Sequence, residues 1–318
     1  MPENQLKIPS PTLIVLIGPT AIGKTRIAIE LAQYFNTDII SADSRQFFQT
    51  LKIGTAAPTP EELSAAKHHF VGHLSIEDYY NVSRFEKDVL CLLPDLFAKK
   101  PVSILTGGSG LYIDAVCKGI DDLPDPDDKL RNKIKNWHTE KGLVSLQEKL
   151  KELDPEYFEI VDKANPNRLK RALEVCIATG QTYTSLRRNQ SKARDFNIIK
   201  IGLNRPRNEL FENIGKRTDQ MINDGLLDEV KSLVKYRQHN ALNTVGYKEM
   251  FDYLDGKITF ERAIENIKTN TRRYAKRQLT WFKRDTEIKW FLPEELEQMI
   301  SFIGSRLNPE EDKMDKSL

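Results

Sequence analysis

The chain has 318 residues, a formal net charge of +2, 39% hydrophobic and 30% charged residues, enough for one large domain or one domain with an insertion. No apolar run approaches membrane-spanning length, and residues 1–11 are polar with no signal-peptide core, so a cytoplasmic protein is expected. Its three cysteines, Cys91, Cys117 and Cys176, lie far apart without a C-x-x-C pair, which fits a reduced compartment.

The first strong signal is the apolar run Leu13-Ile14-Val15-Leu16-Ile17 followed by Gly18-Pro19-Thr20-Ala21-Ile22-Gly23-Lys24-Thr25, which fits the phosphate-loop pattern G-x-x-x-x-G-K-[ST]. Gly18 and Gly23 let the backbone turn tightly and present N–H groups to phosphate oxygens. Lys24 adds a point charge, and the Thr25 hydroxyl is a candidate Mg²⁺ ligand. Residues 26–35 read as a helix with Ile27, Leu31 and Tyr34 on one face, so its N-terminus points at the loop and favours an anion. Chance alone gives such a pattern in roughly one chain of this length per hundred. The pattern implies phosphate binding and does not say which phosphate.

Residues 38–42 read as a second buried strand ending at Asp43-Ser44-Arg45-Gln46. Ligands gather at the carboxyl ends of strands in an open α/β sheet, which makes Asp43 a site candidate; a helix cap is an equal reading. Residues 51–82 are loop-like and contain His68, His69 and His73, for which metal ligation is the weaker reading. An amphipathic helix is expected over 82–98, with Phe85, Val89, Leu92, Leu93 and Leu96 apolar. A third strand, 101–106, runs into Gly107-Gly108-Ser109-Gly110, a turn suited to close substrate approach or simply a turn before a helix.

From 121 the texture changes to an acidic, turn-rich hinge. Helical stretches are expected over 130–141, 143–153 and 167–179, the last closed by Gly180. Residues 196–203 read as a strand returning to the sheet, and 210–290 as predominantly helical. The expected organisation is an α/β core over 11–120 and 190–300, a helical insertion over 121–189 and a tail over 301–318. Arg272, Arg273, Lys276, Arg277, Lys283 and Arg284 form a basic run, whereas 309–318 is acidic and reads as a solvated end.

Taken in order, the phosphate loop, Asp43-Ser44-Arg45-Gln46, Ile53-Gly54-Thr55-Ala56, Gly107-Gly108-Ser109-Gly110-Leu111-Tyr112, Arg171-Ala172-Leu173-Glu174-Val175, Gly246-Tyr247-Lys248-Glu249 and the run from Asn270 to Phe282 resemble the tRNA dimethylallyltransferases, also called tRNA isopentenyltransferases. The resemblance covers about 11 to about 290. It implies a P-loop kinase-like core with a parallel sheet, Mg²⁺ dependence, and transfer of a dimethylallyl group from its diphosphate to N6 of adenosine 37 in tRNA. Carried over residue by residue, it implies catalytic roles for Asp43, Lys24, Thr25 and Arg217, and diphosphate binding by Gly18, Pro19, Thr20, Ala21, Ile22, Gly23, Lys24 and Thr25. The tRNA anticodon stem-loop would meet Asp43, Ser44, Arg45, Gln46, Ser109, Arg131, Asn167, Arg168, Leu169, Lys170, Arg171, Gly246, Tyr247, Arg273, Lys276 and Arg277. Three residues depart from the family pattern: Ile22 for a small residue, Ala57 for Lys, and Ser109 for Thr. The absence of Cys after Cys176 matches bacterial members, and no obligate protein partner is implied.

The residues agree with that chemistry. A diphosphate leaving group needs N–H donors, a cation and a metal where charge grows, and a weakly nucleophilic adenine amine needs a carboxylate to take its proton. Tyr274, Trp281 and Phe282 read as packing; Arg273, Lys276, Arg277 and Lys283 are candidates for phosphate contacts as a cluster, while each taken singly reads as part of a solvated face. Two other readings remain: a P-loop small-molecule kinase, and a non-catalytic RNA-binding protein with a structural nucleotide.

Overall fold

The computed structural model describes residues 10–188 and 190–308, which divide into two compact units: Lys118–Ala193, and the remainder on either side of it. The larger unit is built on strand β1 (Thr12–Ile17), every residue of which is buried. Leu13, Val15 and Ile17 enter one apolar core and Ile14 and Leu16 another, so the alternation of a strand feeds both faces of the sheet. After α1 (Lys24–Phe35) come β2 (Ile39–Ser41), α2 (Pro60–Ala65), β3 (His68–His69), α3 (Val82–Lys99), β4 (Val102–Gly107) and α4 (Gly110–Lys118).

The smaller unit holds α5 (Asp128–Leu153), α6 (Pro155–Ile160), α7 (Pro166–Thr179) and α8 (Tyr183–Leu186). Gly142, at φ 75°, breaks α5 between the two helical stretches read from the sequence. Ile134, Leu146, Leu150, Leu169, Ala172 and Leu173 form this unit's own core. The division lies a few residues outside the expected 121–189 at each end.

The chain then supplies β5 (Asn197–Leu203), α9 (Arg207–Asn223), α10 (Leu226–Ser232), α11 (Tyr247–Leu254), α12 (Phe260–Phe282), β6 (Lys289–Phe291) and α13 (Leu296–Leu307) to the larger unit. The sheet is parallel throughout, ordered β3-β2-β4-β1-β5-β6.

Four sequence expectations need correction. Residues 301–307 belong to α13, whose Met299, Ile303 and Leu307 are buried, rather than to a tail. The rest of that tail, 309–318, lies outside the described residues. Strand β6 takes the last residues of the stretch read as helical; Gly202 on β5 leaves room beside it for the Trp290 ring, which a Cβ there would meet at 2.6 Å. His68 and His69 form edge strand β3, His69 bonding Asp38 at 2.8 Å, while His73 packs edge-on to Phe47. Tyr34 is 57% exposed, outside the buried face that Ile27, Ala28 and Leu31 give to α1.

The loop after β2 is fastened by one carboxylate. Glu229 on α10 accepts the Lys52 and Ile53 N–H groups at 3.0 and 2.8 Å, the Gly54 N–H at 3.0 Å, and the Tyr247 hydroxyl at 2.6 Å. The Tyr247 ring lies flat on Gly54, where a Cβ would come within 2.6 Å of it. Hydrogen bonds to a charged acceptor contribute about 1.5–3 kcal/mol each. Glu229→Gln, which turns an acceptor into a donor facing N–H groups, is expected to cost about 3 kcal/mol or more, and Tyr247→Phe, which loses one bond to the carboxylate, about 1.5–2 kcal/mol. Denaturant midpoints measure the difference, and faster hydrogen exchange at Gly54 in the Gln variant locates it.

Candidate functional site

The carboxyl ends of β1, β2 and β4 carry the three segments that the sequence singles out. The phosphate loop follows β1, Asp43 follows β2, and Gly108-Ser109 follows β4. Because β1 and β2 both flank β4, the sheet order alone brings these turns together.

Gly23, at φ 94°, takes the left-handed turn that starts α1, a conformation costly for other residues. Ala21 also has positive φ, 62°, so the loop stores backbone strain. Lys24 folds back on the loop, donating to the Gly18 and Pro19 carbonyls at 3.0 and 2.8 Å. Burial pulls its ammonium down to about 8; Asp43 opposes that shift and Arg217 adds to it. Ile22, which stands for a small residue of the family pattern, is 2% exposed and packs in the core with Ile27 and Leu203, so this departure anchors the loop from beneath. Thr25 lies in the first turn of α1, half-buried.

Asp43 is not the cap of a helix, because turns follow it. Its Oδ1 accepts the Arg45 N–H at 3.0 Å. Arg217 on α9 donates to Thr20 Oγ1 at 3.1 Å and to the Thr55 carbonyl at 3.3 Å, thereby joining the phosphate loop to the loop after β2. Burial lowers its pKa and the Asp43 charge acts against that. Glu212, one turn earlier on α9, pairs with Lys216 at 2.6 Å.

A cavity of about 430 Å³ is lined by Thr20, Asp43, Arg45, Arg217, Tyr274 and Arg277, among others. Lys248 and Gly246, with φ 97°, complete its wall. A second cavity of about 1060 Å³ also reaches Arg217 and is walled by Phe48, Leu51, Ile53, Leu63 and Met221. Ala57, where the family pattern has Lys, lies in this wall and leaves it apolar there.

Tyr274 is the residue that sequence reasoning misassigned. Its ring faces the smaller cavity, with its hydroxyl hydrogen-bonded to Ser109, and burial, then the Asp43 charge, raise its pKa to about 12. The signal was its position one helical turn before Gln278 (buried at 6% exposure), which sets that face of α12 inward. Trp281 and Phe282 pack as expected, the former donating to Asp114 at 2.8 Å.

The expected RNA-facing residues separate by exposure. Arg273, Lys276 and Arg277 lie exposed on α12, with Arg277 over the Tyr274 ring at 5.8 Å. Arg272 turns away and lies over Phe211 at 5.4 Å. Ser44 and Ser109 join through the Ser44 N–H at 3.3 Å, Arg45 donates to the Asn240 carbonyl at 2.8 Å, and Gln46 donates to the Thr55 and Ala56 carbonyls at 3.2 and 3.0 Å. Gln46 and the fully buried Tyr247 therefore serve the scaffold through their side chains.

In the smaller unit Asn167 and Arg168 are exposed in the first turn of α7, Arg171 is 3.8 Å from Glu174, and burial lowers the Lys170 pKa. Arg131 pairs with Asp125 and Asp128 at 3.0 and 2.6 Å, and Leu169 is core.

Among the described residues no three His, Cys, Asp or Glu side chains converge to cage a metal. The Thr25 hydroxyl, in the first turn of α1 directly after the loop, fits Mg²⁺, which takes few protein ligands and completes its shell with phosphate and water.

Fold and site define a P-loop protein of α/β type, with a carboxylate and two half-buried cations, Lys24 and Arg217, gathered beside the strand ends. The chain belongs to the IPP transferase family, whose model matches residues 46–285. It is 53% identical over 296 residues to tRNA dimethylallyltransferase 1 of Bacteroides fragilis, covering 93% of this chain and 98% of that one. It is 50% identical over 297 residues to the tRNA dimethylallyltransferase of Christiangramia forsetii, covering 93% and 98%. The crystal structure of the full-length tRNA isopentenylpyrophosphate transferase from Bacillus halodurans superposes with a TM-score of 0.69 at 33% identity, over 96% of this chain and 100% of that one. A eukaryotic dimethylallyltransferase acting on tRNA shares the fold, with a TM-score of 0.74 at 24% identity over 97% of this chain and 80% of that one.

The lowered pKa of Lys24 sets a pH dependence with a definite sign. Between about 8 and the ordinary 10.5 the unfolded chain holds a proton that the folded chain lacks, so stability rises with pH across that window. Anion affinity moves the other way, because the neutral amine offers no charge. The ratio of wild-type to Lys24→Ala affinity for inorganic diphosphate, in which the ligand's own ionisation cancels, is expected to fall as pH rises through about 8. Calorimetric titration from pH 6.5 to 9.5 measures it, and a flat ratio refutes the assignment.

Proposed function

We infer that this chain is a tRNA dimethylallyltransferase, moving a dimethylallyl group from dimethylallyl diphosphate to N6 of adenosine 37 in tRNA and releasing diphosphate. One observation carries the residue roles: Asp43, Arg217 and Thr20 of the phosphate loop line the same cavity of about 430 Å³. A proton acceptor and the anion-binding groups therefore face one space, as a displacement with a diphosphate leaving group requires.

In this reading the loop N–H groups, Lys24 and Arg217 hold the diphosphate, and Thr25 would hold Mg²⁺ through its hydroxyl. The metal, when bound, neutralises charge on the phosphate oxygens. The adenine N6 lone pair forms the new bond to the allylic carbon, and the carbon–oxygen bond breaks with its electron pair leaving on diphosphate. The N6 proton passes to the Asp43 carboxylate, whose other oxygen, Oδ1, is held by the Arg45 N–H. The apolar wall beyond Arg217 supplies the contacts a dimethylallyl tail needs and keeps water from the reacting carbon. Exposed Arg273, Lys276 and Arg277 on α12 offer charge to an RNA backbone, and the base must leave its stack to reach the cavity. No helix of the described residues is long and apolar enough to cross a membrane.

The direct test mixes the protein with dimethylallyl diphosphate, ATP, Mg²⁺ and unmodified tRNA, followed by nucleoside mass analysis. Isopentenyladenosine is expected; ADP would select a small-molecule kinase, and tight RNA binding without product would select a non-catalytic protein.

Asp43→Asn separates the mechanism from the scaffold. Asn retains an acceptor for the Arg45 N–H but takes no proton, so kcat is expected to fall about 10²–10⁴-fold with both substrate affinities little changed. Wild-type turnover in that variant would remove Asp43 as the base.

A further inference from the structure

Gln278 is a buried amide whose two ends both reach the phosphate site. Its Oε1 accepts the Thr20 N–H of the phosphate loop at 2.8 Å, and its Nε2 donates to the Gly108 carbonyl of the loop after β4 at 2.9 Å. The side chain is 6% exposed, so water cannot replace either partner cheaply. The fit requires glycine at 108: a Cβ there would sit 2.2 Å from Gln278 Nε2 and 3.9 Å from Lys24 Nζ.

The residues around Gln278 give this bridge a direction. Tyr274, Gln278 and Trp281 fall on one stripe of α12. Tyr274 lines the cavity that holds Asp43, and Trp281 lies where a Cβ on Gly110 would come within 2.4 Å of it. The adjoining face of the same helix carries exposed Arg273, Lys276 and Arg277. A shift of α12 that reorients the cationic face must therefore move the amide that holds the phosphate loop.

We propose that Gln278 is a positioning residue that sets the shape of the phosphate loop and couples diphosphate binding to RNA engagement through α12. This rests on the reading of the loop as the diphosphate site. The Thr20 N–H is fixed by an acceptor on α12 rather than by the loop itself, so the Thr20 hydroxyl, and with it the Arg217 contact at 3.1 Å, follows the helix. Binding at either substrate then alters affinity at the other by the same factor.

The test measures inorganic diphosphate affinity of the full chain by calorimetry, alone and with saturating unmodified anticodon stem-loop RNA. Wild type, Lys24→Ala, Gln278→Leu and Gly108→Ala are compared, with thermal melts of each. In wild type the RNA is expected to change diphosphate affinity. In Gln278→Leu affinity is expected to fall about tenfold, the effect of one lost buried hydrogen bond, and the RNA to leave it unchanged. If Gln278→Leu fails to fold, Gly108→Ala carries the test, because its methyl displaces the amide while Gln278 remains. A residue that only packs would lower the melting temperature while leaving both affinity and coupling intact. That pattern overturns the proposal, as does a wild type without coupling. Diphosphate binding that is absent, or indifferent to Lys24→Ala, overturns the phosphate-loop reading and the proposal with it; silent Gln278 and Gly108 variants beside a responsive Lys24→Ala overturn the proposal alone.

Discussion

The site depends on positive charge partly withdrawn from water. Among the described residues Lys24 is bonded to the two carbonyls of its own loop and Arg217 to a hydroxyl and a carbonyl, so neutral oxygens hold both cations. Asp43 is the carboxylate whose charge acts on both of them. Such an arrangement lowers the Lys24 pKa and makes an arriving anion the partner that restores its charge. The N-terminus of α1 adds the same sign of field at the same place.

Holding those cations requires a frame that does not collapse onto them. The loop after β2 is fixed by Glu229, the phosphate loop by Ile22 beneath it and Gln278 beside it, and the β4 turn by Trp281 and Gln278. These fasteners come from three separate parts of the chain, and three of the four, Glu229, Gln278 and Trp281, lie on helices after β5. The C-terminal helices therefore do more than present a basic surface: α12 closes the site from one side while its opposite residues remain exposed. The smaller unit has its own core around Leu146, Leu150 and Leu169. Its buried Asp154 caps α6 and also accepts from Thr184, which ties α8 to the helix bundle.

Asp43 shows how a local reading meets its limit. Spacing alone left it as either a cap or a catalytic group, because both uses favour Asp at a strand end. Turn geometry resolves the first, since its Oδ1 holds a turn rather than a helix. Its chemical role comes from what faces it across the cavity. Tyr274 had the opposite fate. An aromatic residue inside a helical run reads as packing, and only the placement of α12 beside the turn after β4 brings it to the cavity that Asp43 lines.

The order of motifs was enough to establish the family, the phosphate loop and the helical insertion, because each is encoded by residues adjacent in sequence. A glycine turn after an apolar strand, or an acidic hinge before capped helices, needs no distant partner to be recognised. Strand β6 and helix α13 were not legible, since three residues such as Lys289-Trp290-Phe291 carry no period and become a strand only by pairing with β5. The bridges Glu229 to Gly54, Arg217 to Thr20 and Gln278 to Gly108 span more than a hundred and fifty residues each. Hydrogen bonds of that kind leave no mark on local composition: a buried amide, guanidinium or carboxylate looks like any polar helix residue until folding decides which backbone group it meets.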